Sequence, residues 1–350
     1  MKPRNAQMIS WILLLACVTM FGSNSHVTAL EQGIAIPVQV ETSLNIVANR
    51  RFDIGDNLIH GSMYYDGYIW ASTRTNPARI LKVDPVTLEY DRIILGGGLN
   101  DGEDIIAAEG YVWVILYTSP SRLVRIDPNT LEWEVAINFQ SGEIKYGGSL
   151  EYAFGYLWVG GYDRQIARIK LSDMSYQTYF YSQAASGTQF HAMTSGGDYL
   201  WATAPQASNT SLLRIDPSDP TSYEHVNIPE QTPDDIAYID NHLYVGGEEP
   251  TSYLYKVDNH LAYERVIAAN SVAYGIFSNP TNSDRVYGAY VGSPGYVKEF
   301  DRDLNELNVY YLPDGYDNAN EIVFDPAGNM YVMAWQSPAG IVKFSMAPAD

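Results

Sequence analysis

Cysteine is nearly absent from this chain: Cys17 is the only one in 350 residues. A disulfide framework and a cysteine-based zinc site are therefore excluded, and cleavage after Ala29 would remove the one thiol and with it redox chemistry. Basic residues are scarce too, 21 Lys and Arg against 41 Asp and Glu, for a net charge of −20. A field of that sign repels polyanions within a Debye length and attracts cations, which argues against nucleic acid as a partner. The same charge also keeps an exported protein soluble with no partner involved. No apolar run reaches the roughly 18 residues of a membrane span, so no transmembrane segment is expected. Also missing are a Gly-x-Ser-x-Gly elbow, a P-loop and a dinucleotide fingerprint.

The one apolar stretch of note, Met8 to Phe21, follows Lys2 and Arg4 and precedes Val27-Thr28-Ala29. That order reads as a signal peptide over residues 1–29 and a secreted or periplasmic protein. Cleavage there leaves 19 basic residues (21 less Lys2 and Arg4) against 41 acidic ones, a mature charge of −22. The alternative takes Leu14-Leu15-Ala16-Cys17 as a lipobox, with the protein lipid-anchored through Cys17. Asn209-Thr210-Ser211 is the single N-glycosylation sequon.

What the sequence does hold is an echo. Trp70, Trp113, Trp158, Trp201, Tyr244, Tyr287 and Tyr331 recur at intervals of 43, 45, 43, 43, 43 and 44 residues. Within each unit an apolar stretch such as Asp104-Ile105-Ile106-Ala107-Ala108 meets a tight turn, Glu109-Gly110 here and Asp66-Gly67 in the first unit, and then the strand that carries the anchor. Two further strands follow, Ile80 to Val83 and Tyr90 to Leu95 in the first unit. Four short strands at a period of 40 to 45 residues define one blade of a propeller. The expected fold is all-β, a seven-bladed β-propeller of four-stranded antiparallel blades occupying residues 30–350 as a single, monomeric domain.

The seventh unit ends after Ile341 to Phe344, one strand short. Leu44 to Ile54 has the length and character of that strand, so the N-terminal segment is expected to close the ring and remove an open edge. The turns Asp84-Pro85, Asp127-Pro128 and Asp216-Pro217, with looser versions at Asp258 and Asp301, read as type I turns capped by aspartate, a structural role. Trp70, Trp113, Trp158 and Trp201 read as fillers of the wedge between neighbouring sheets.

Function is expected on the face where the loops entering the innermost strands meet those joining the second and third strands, around the channel mouth. Counting back from each anchor aligns His60-Gly61, Glu103-Asp104, Gly148-Ser149, His191-Ala192, Asp234-Asp235, Tyr274-Gly275 and Asn320-Glu321 at that level. Glu103, Asp104, Asp234, Asp235, Asn320 and Glu321 are the oxygen donors a hard cation such as Ca²⁺ or Mg²⁺ requires. His60, His191, Glu103 and Glu321 are the candidate acid/base residues. Strand alternation turns about half of any adjacent pair inward, and the same residues also suit hydrogen bonding at strand ends. The same face is expected to carry Tyr117, Tyr146, Tyr162, Phe190, Tyr253, Tyr274, Tyr296, Tyr316 and Trp335, of which Tyr146, Phe190, Tyr274, Tyr316 and Trp335 are the ligand-binding candidates. Rings with carboxylate neighbours suit a small molecule, a glycan or a protein; with 28 tyrosines in the chain, part of this set is packing.

Gly-Tyr-Leu-Trp-Val at 155–159, Leu-Leu-Arg-Ile-Asp-Pro at 212–217 and Thr-Pro-Asp-Asp-Ile-Ala at 232–237 resemble the repeats of the streptogramin (virginiamycin B) lyase-like and NHL-type propellers. The resemblance runs over nearly the whole mature chain. It implies the propeller fold and, for the lyases, a metal-dependent opening of a cyclic ester that uses a His and a Glu on the channel face. His60, His191, Glu103 and Glu321 stand at the matching level, while the continuation after the first anchor, Trp70-Ala71-Ser72-Thr73, differs from the family's Trp-Phe-Thr-Glu. Two functions are left open: binding of a ligand or protein partner on the channel face, or a divalent-metal-dependent lyase or lactonase.

Overall fold

The repeat unit folds as its alternation dictates. In the second unit Gly102–Ala108, Tyr111–Leu116, Arg122–Ile126 and Trp133–Asn138 pair in sequence order into one antiparallel sheet. The first turn, Glu109-Gly110, has both residues at positive φ, 50° and 82°, as a two-residue turn matched to strand twist requires. The computed structural model describes residues 46–182, 189–205, 210–229, 235–247, 251–269, 271 and 273–345. The leader, Cys17, Asn209 of the sequon and Asp234 lie outside them. Among the described residues, 28 strands form seven four-stranded sheets, a seven-bladed propeller, and no helix is long and apolar enough to cross a membrane. Blades 1 to 7 are numbered by the order of their anchors.

The ring closes with the N-terminal strand. Ile46–Arg51 pairs antiparallel with Gly340–Phe344, Asn49 facing Val342 and Arg51 facing Gly340, and so supplies the outermost strand of blade 7. The segment that follows is pinned to blade 1. Asp56, fully buried, accepts from Arg79 at 3.0 Å, from Arg92 Nε at 3.0 Å and from the Tyr90 hydroxyl at 2.9 Å, while its carbonyl accepts from Ala339 N–H at 2.8 Å. Removing one member of such a buried ionic group costs about 3–5 kcal/mol because its partners stay uncompensated.

The anchors are core. Trp70, Trp113, Trp158 and Trp201 are at most 1% exposed. Each indole N–H donates to the carbonyl five residues earlier, at 3.0 to 3.3 Å. A cation from the third strand lies over the ring pair, as Lys82 over Tyr68 and Trp70 or Arg168 over Tyr156 and Trp158. It then reaches a proline carbonyl in an Asp-Pro turn of another blade: Lys82 to Pro128 at 2.8 Å, Arg168 to Pro217 at 3.0 Å, Lys343 to Pro85 at 2.9 Å. Within those turns Asp84 accepts from the N–H of Val86 and Thr87, and Asp127 from Asn129 and Thr130. These amide donors hold the Asp84 and Asp127 carboxyls below their ordinary range, and the Ser218 hydroxyl with its backbone N–H does the same for Asp216. The repeated residues thus build blades and latch them together.

Candidate functional site

The innermost strands start at the channel mouth with an irregularity that the period-2 pattern does not predict. In blades 1, 2, 6 and 7 the pairing of the first two strands slips between Ile59 and Gly61, Gly102 and Asp104, Ala273 and Gly275, and Ala319 and Glu321. The extra residues are His60, Glu103, Tyr274 and Asn320. A bulge of this kind breaks the alternation of faces and re-aims side chains. Both members of Glu103-Asp104 and of Asn320-Glu321 consequently line one cavity, where alternation alone turns a single member of each pair inward.

That cavity measures about 140 Å³. His60, His191, Asp235, Gly148 and Ser149 complete its wall with the two pairs, so six of the seven blades contribute a residue aligned from the sequence. Blade 6 contributes Phe277 in place of Tyr274 and Gly275. The Phe277 ring occupies the space beside Gly275, where a Cβ would stand 2.6 Å from the ring edge. Phe277 also lines a second cavity of about 340 Å³ with Ile236, Ile276, Ile322 and Phe324. The channel is thereby divided into a polar basin at the mouth and a larger, more apolar one beyond it.

The acidic residues of the mouth differ in their bonding. Glu103 is 1% exposed, and both its oxygens are taken by the Arg74 guanidinium. His60 Nδ1 lies 3.7 Å from the same carboxylate, and Arg74 in turn lies over the Tyr117 ring at 4.9 Å. Asp104 accepts from Ile105 N–H and, across to blade 3, from Leu150 N–H, each at 2.7 Å. Withdrawal from bulk water pushes its carboxyl up to about 7, helped by the Glu103 charge and opposed by the two amides. Glu151 repeats the arrangement one blade on: it accepts from Ser195 N–H at 3.0 Å, and burial raises it to about 7. Asp235 accepts from Ile236 N–H at 2.8 Å, and Glu321 from the Ser62 hydroxyl of blade 1 at 3.4 Å. Asn320 spends its amide on the Ile59 carbonyl at 2.8 Å, a link between blades 7 and 1. Among the described residues no three His, Cys, Asp or Glu side chains converge as metal ligands.

The aromatic candidates divide as well. Tyr146 is 38% exposed and sits between Tyr117 at 5.0 Å and Tyr162 at 5.8 Å. Its φ of +45° is unusual for a bulky side chain; backbone bonds from Tyr146 N–H to Thr118 and from Tyr162 N–H to Lys145 hold it there. Tyr274 and Trp335, both half-buried, pack at 5.3 Å on the other side of the mouth. Phe190 is fully buried against Tyr181, and Tyr316 is buried under Arg51 with its hydroxyl donating to Asn49 at 3.0 Å. These last two pack within and between blades, and neither is among the residues that line the mouth cavity.

With the geometry in view, the comparisons address the fold. Three solved structures match over most of this chain. RRP9 WD40 repeats share 12% identity at a TM-score of 0.65, covering 85% of this chain and 97% of that one. A chain of the mitotic checkpoint complex shares 12% at 0.68, covering 92% and 99%. The extracellular domain of the hybrid two component system BT3049 from B. thetaiotaomicron shares 16% at 0.62, covering 84% of this chain and 41% of that one. Identity this low carries the propeller fold and nothing finer. No family model and no curated protein matches the sequence.

Arg74, Glu151 and Phe277 are the site residues that sequence reasoning missed. Arg74 stands four residues past its anchor, where other units carry Tyr117, Tyr162 and Trp335; that alignment marks the mouth rim. Glu151 faces Trp158 in its ladder, where the neighbouring blades place Ile106 and Thr194; the one acid at that level was the available signal.

Proposed function

We propose that this chain is an exported binding module whose channel mouth receives a ligand or a protein partner without turning it over. The observation that carries the reading is the mouth cavity itself. Six blades bring non-repeating polar residues to one basin, and at about 140 Å³ it is well under the roughly 300–1,000 Å³ that encloses a drug-sized ligand. A group protruding from a larger partner fits such a basin; a whole macrocyclic substrate does not.

A second reading, the divalent-metal-dependent lyase or lactonase, draws on two observations. His60 lies against Glu103, and Asp104 is raised toward neutrality, which suits general acid/base work. The pairing of Glu103 with Arg74 and the absence of converging ligands among the described residues do not fit Ca²⁺ or Mg²⁺ bound directly at this spot. Metal analysis of the purified protein and a melting-temperature screen with Ca²⁺, Mg²⁺, Mn²⁺ and peptide probes separate the two readings. The binding module predicts no stoichiometric metal and a peptide-induced shift that Glu321→Gln reduces while the outer-strand variant Trp133→Ala keeps it. Bound metal with ester-opening activity lost in Glu103→Gln overturns it.

A further inference from the structure

We propose that the mouth cavity takes a cationic head group, a guanidinium or an ammonium, presented on a basic side chain of a protein partner. The inference rests on the binding reading above and names its ligand chemistry. Three features of the basin converge on it. Its wall offers Asp235 and Glu321 beside Glu103 and Asp104, and with His60 and His191 as its basic groups it contains no lysine or arginine. Phe277, on blade 6, supplies an aromatic ring to the same wall, and carboxylates with an aromatic ring form the environment in which a cation gains from both charge and ring quadrupole. The basin is also the right size for a head group and too small for its owner, so the ligand enters from a body that stays outside.

The molecule already holds one guanidinium in this manner. Arg74, at the rim, is fixed between both oxygens of Glu103 and the Tyr117 ring. This internal pair neutralises Glu103, and burial raises the Asp104 carboxyl to about 7, so the anionic character of the basin comes chiefly from Asp235 and Glu321. A planar guanidinium suits bidentate carboxylate recognition and stacking better than an ammonium does, so arginine is the favoured residue of the partner. Beyond the basin, Tyr146 with Tyr117 and Tyr162 on one side and Tyr274 with Trp335 on the other flank the path of an incoming chain. Exposed tyrosine presents contact area at low entropic cost. The chain's net charge of −20 steers a basic partner toward it.

Calorimetric titration of the full chain tests this with N-acetylarginine amide, the peptide acetyl-Gly-Ser-Arg-Ser-Gly-amide, the same peptide with citrulline for arginine, and CaCl₂ alone. The arginine peptide is expected to bind about tenfold or more tighter than its citrulline twin, with an affinity that falls as salt rises. Asp235→Asn and Glu321→Gln are each expected to weaken it severalfold, and Ser62→Lys, which places an ammonium in the basin, to abolish it. Tyr146→Ala weakens the peptide and leaves the free amide unchanged when the ligand is a chain; equal losses for both mark a free small cation and overturn the protein-partner half. An arginine peptide no tighter than the citrulline peptide, including no binding of either, overturns the inference. If the two bind equally and the mouth variants still abolish binding, the channel-mouth reading survives and the cation does not. Tight arginine binding untouched by all three mouth variants removes both, and calcium binding lost in Glu321→Gln with no peptide binding replaces the cationic side chain by a metal.

Discussion

The two ends of the blades are built on opposite principles. At the end away from the mouth the same device repeats: an aspartate caps its own turn, and a lysine or arginine from another blade closes on the turn's proline carbonyl. At the mouth no two blades present the same pair of residues, and four of the seven inner strands begin in a bulge. Asn57 Oδ1, Asn100 Oδ1, Gln189 Nε2, Trp335 Nε1 and Gln336 Nε2 are buried there without a hydrogen-bond partner, and among the described residues no such atom lies at the far end. The bonds that latch the blades lie in what repeats, and the proposed recognition is assigned to what does not.

The most severe way to break this division is to open the ring. Deleting residues 30–54 removes the outermost strand of blade 7 together with Asp56's anchoring segment and exposes a sheet edge. A fall in melting temperature of more than about 10 °C, or loss of a cooperative transition, is expected by calorimetry. Next in size, Trp158→Ala leaves a cavity between blades 3 and 4 and is expected to cost about 3–5 kcal/mol in urea unfolding. Glu321→Gln at the mouth, measured alongside, is expected to stay within about 1 kcal/mol.

Acidity distinguishes the two ends by sign. Asp84, Asp127, Asp216 and Asp301 have folded-state values below their ordinary ones, so the stability they contribute is present above about pH 4 and is lost as pH falls further. Asp104 and Glu151 are raised to about 7, so their contribution is present below about pH 4 and is lost as pH rises through 7. Hydrogen exchange should therefore show inner strands of blades 2 to 4 loosening between about pH 4 and 7, and Asp104→Asn with Glu151→Gln flattening that change. An unaltered profile in the double variant removes the assignment. The smallest effect is expected for Lys82→Met, which keeps the stem over Tyr68 and Trp70 and loses one latch: about 1 kcal/mol or less by urea unfolding.

The far end was legible in the sequence because its determinants are local. An Asp-Pro turn, a Glu-Gly turn and an anchor every 43 to 45 residues each state their structure within a few positions, and the short final unit announced the strand that Ile46–Arg51 provides. The mouth was legible in level and not in detail. Counting from the anchors brought His60, Glu103, Asp104, His191, Asp235, Asn320 and Glu321 to the wall of one cavity. A bulge is set by the partner strand's ladder, so composition did not show that both members of a pair line that wall. The capture of Glu103 by Arg74 spans 29 residues between two blades, and Asn320's bond to Ile59 spans 261. Pairings at that range are fixed by ring closure and carry no local signature.

The central claim, that recognition belongs to the non-repeating mouth, is tested most directly by titrating the arginine peptide into Glu321→Gln and Asp127→Ala in parallel. The account predicts that Glu321→Gln loses severalfold in affinity at an unchanged melting temperature, while Asp127→Ala binds as the parent does. Binding that survives Glu321→Gln and fails in Asp127→Ala contradicts it.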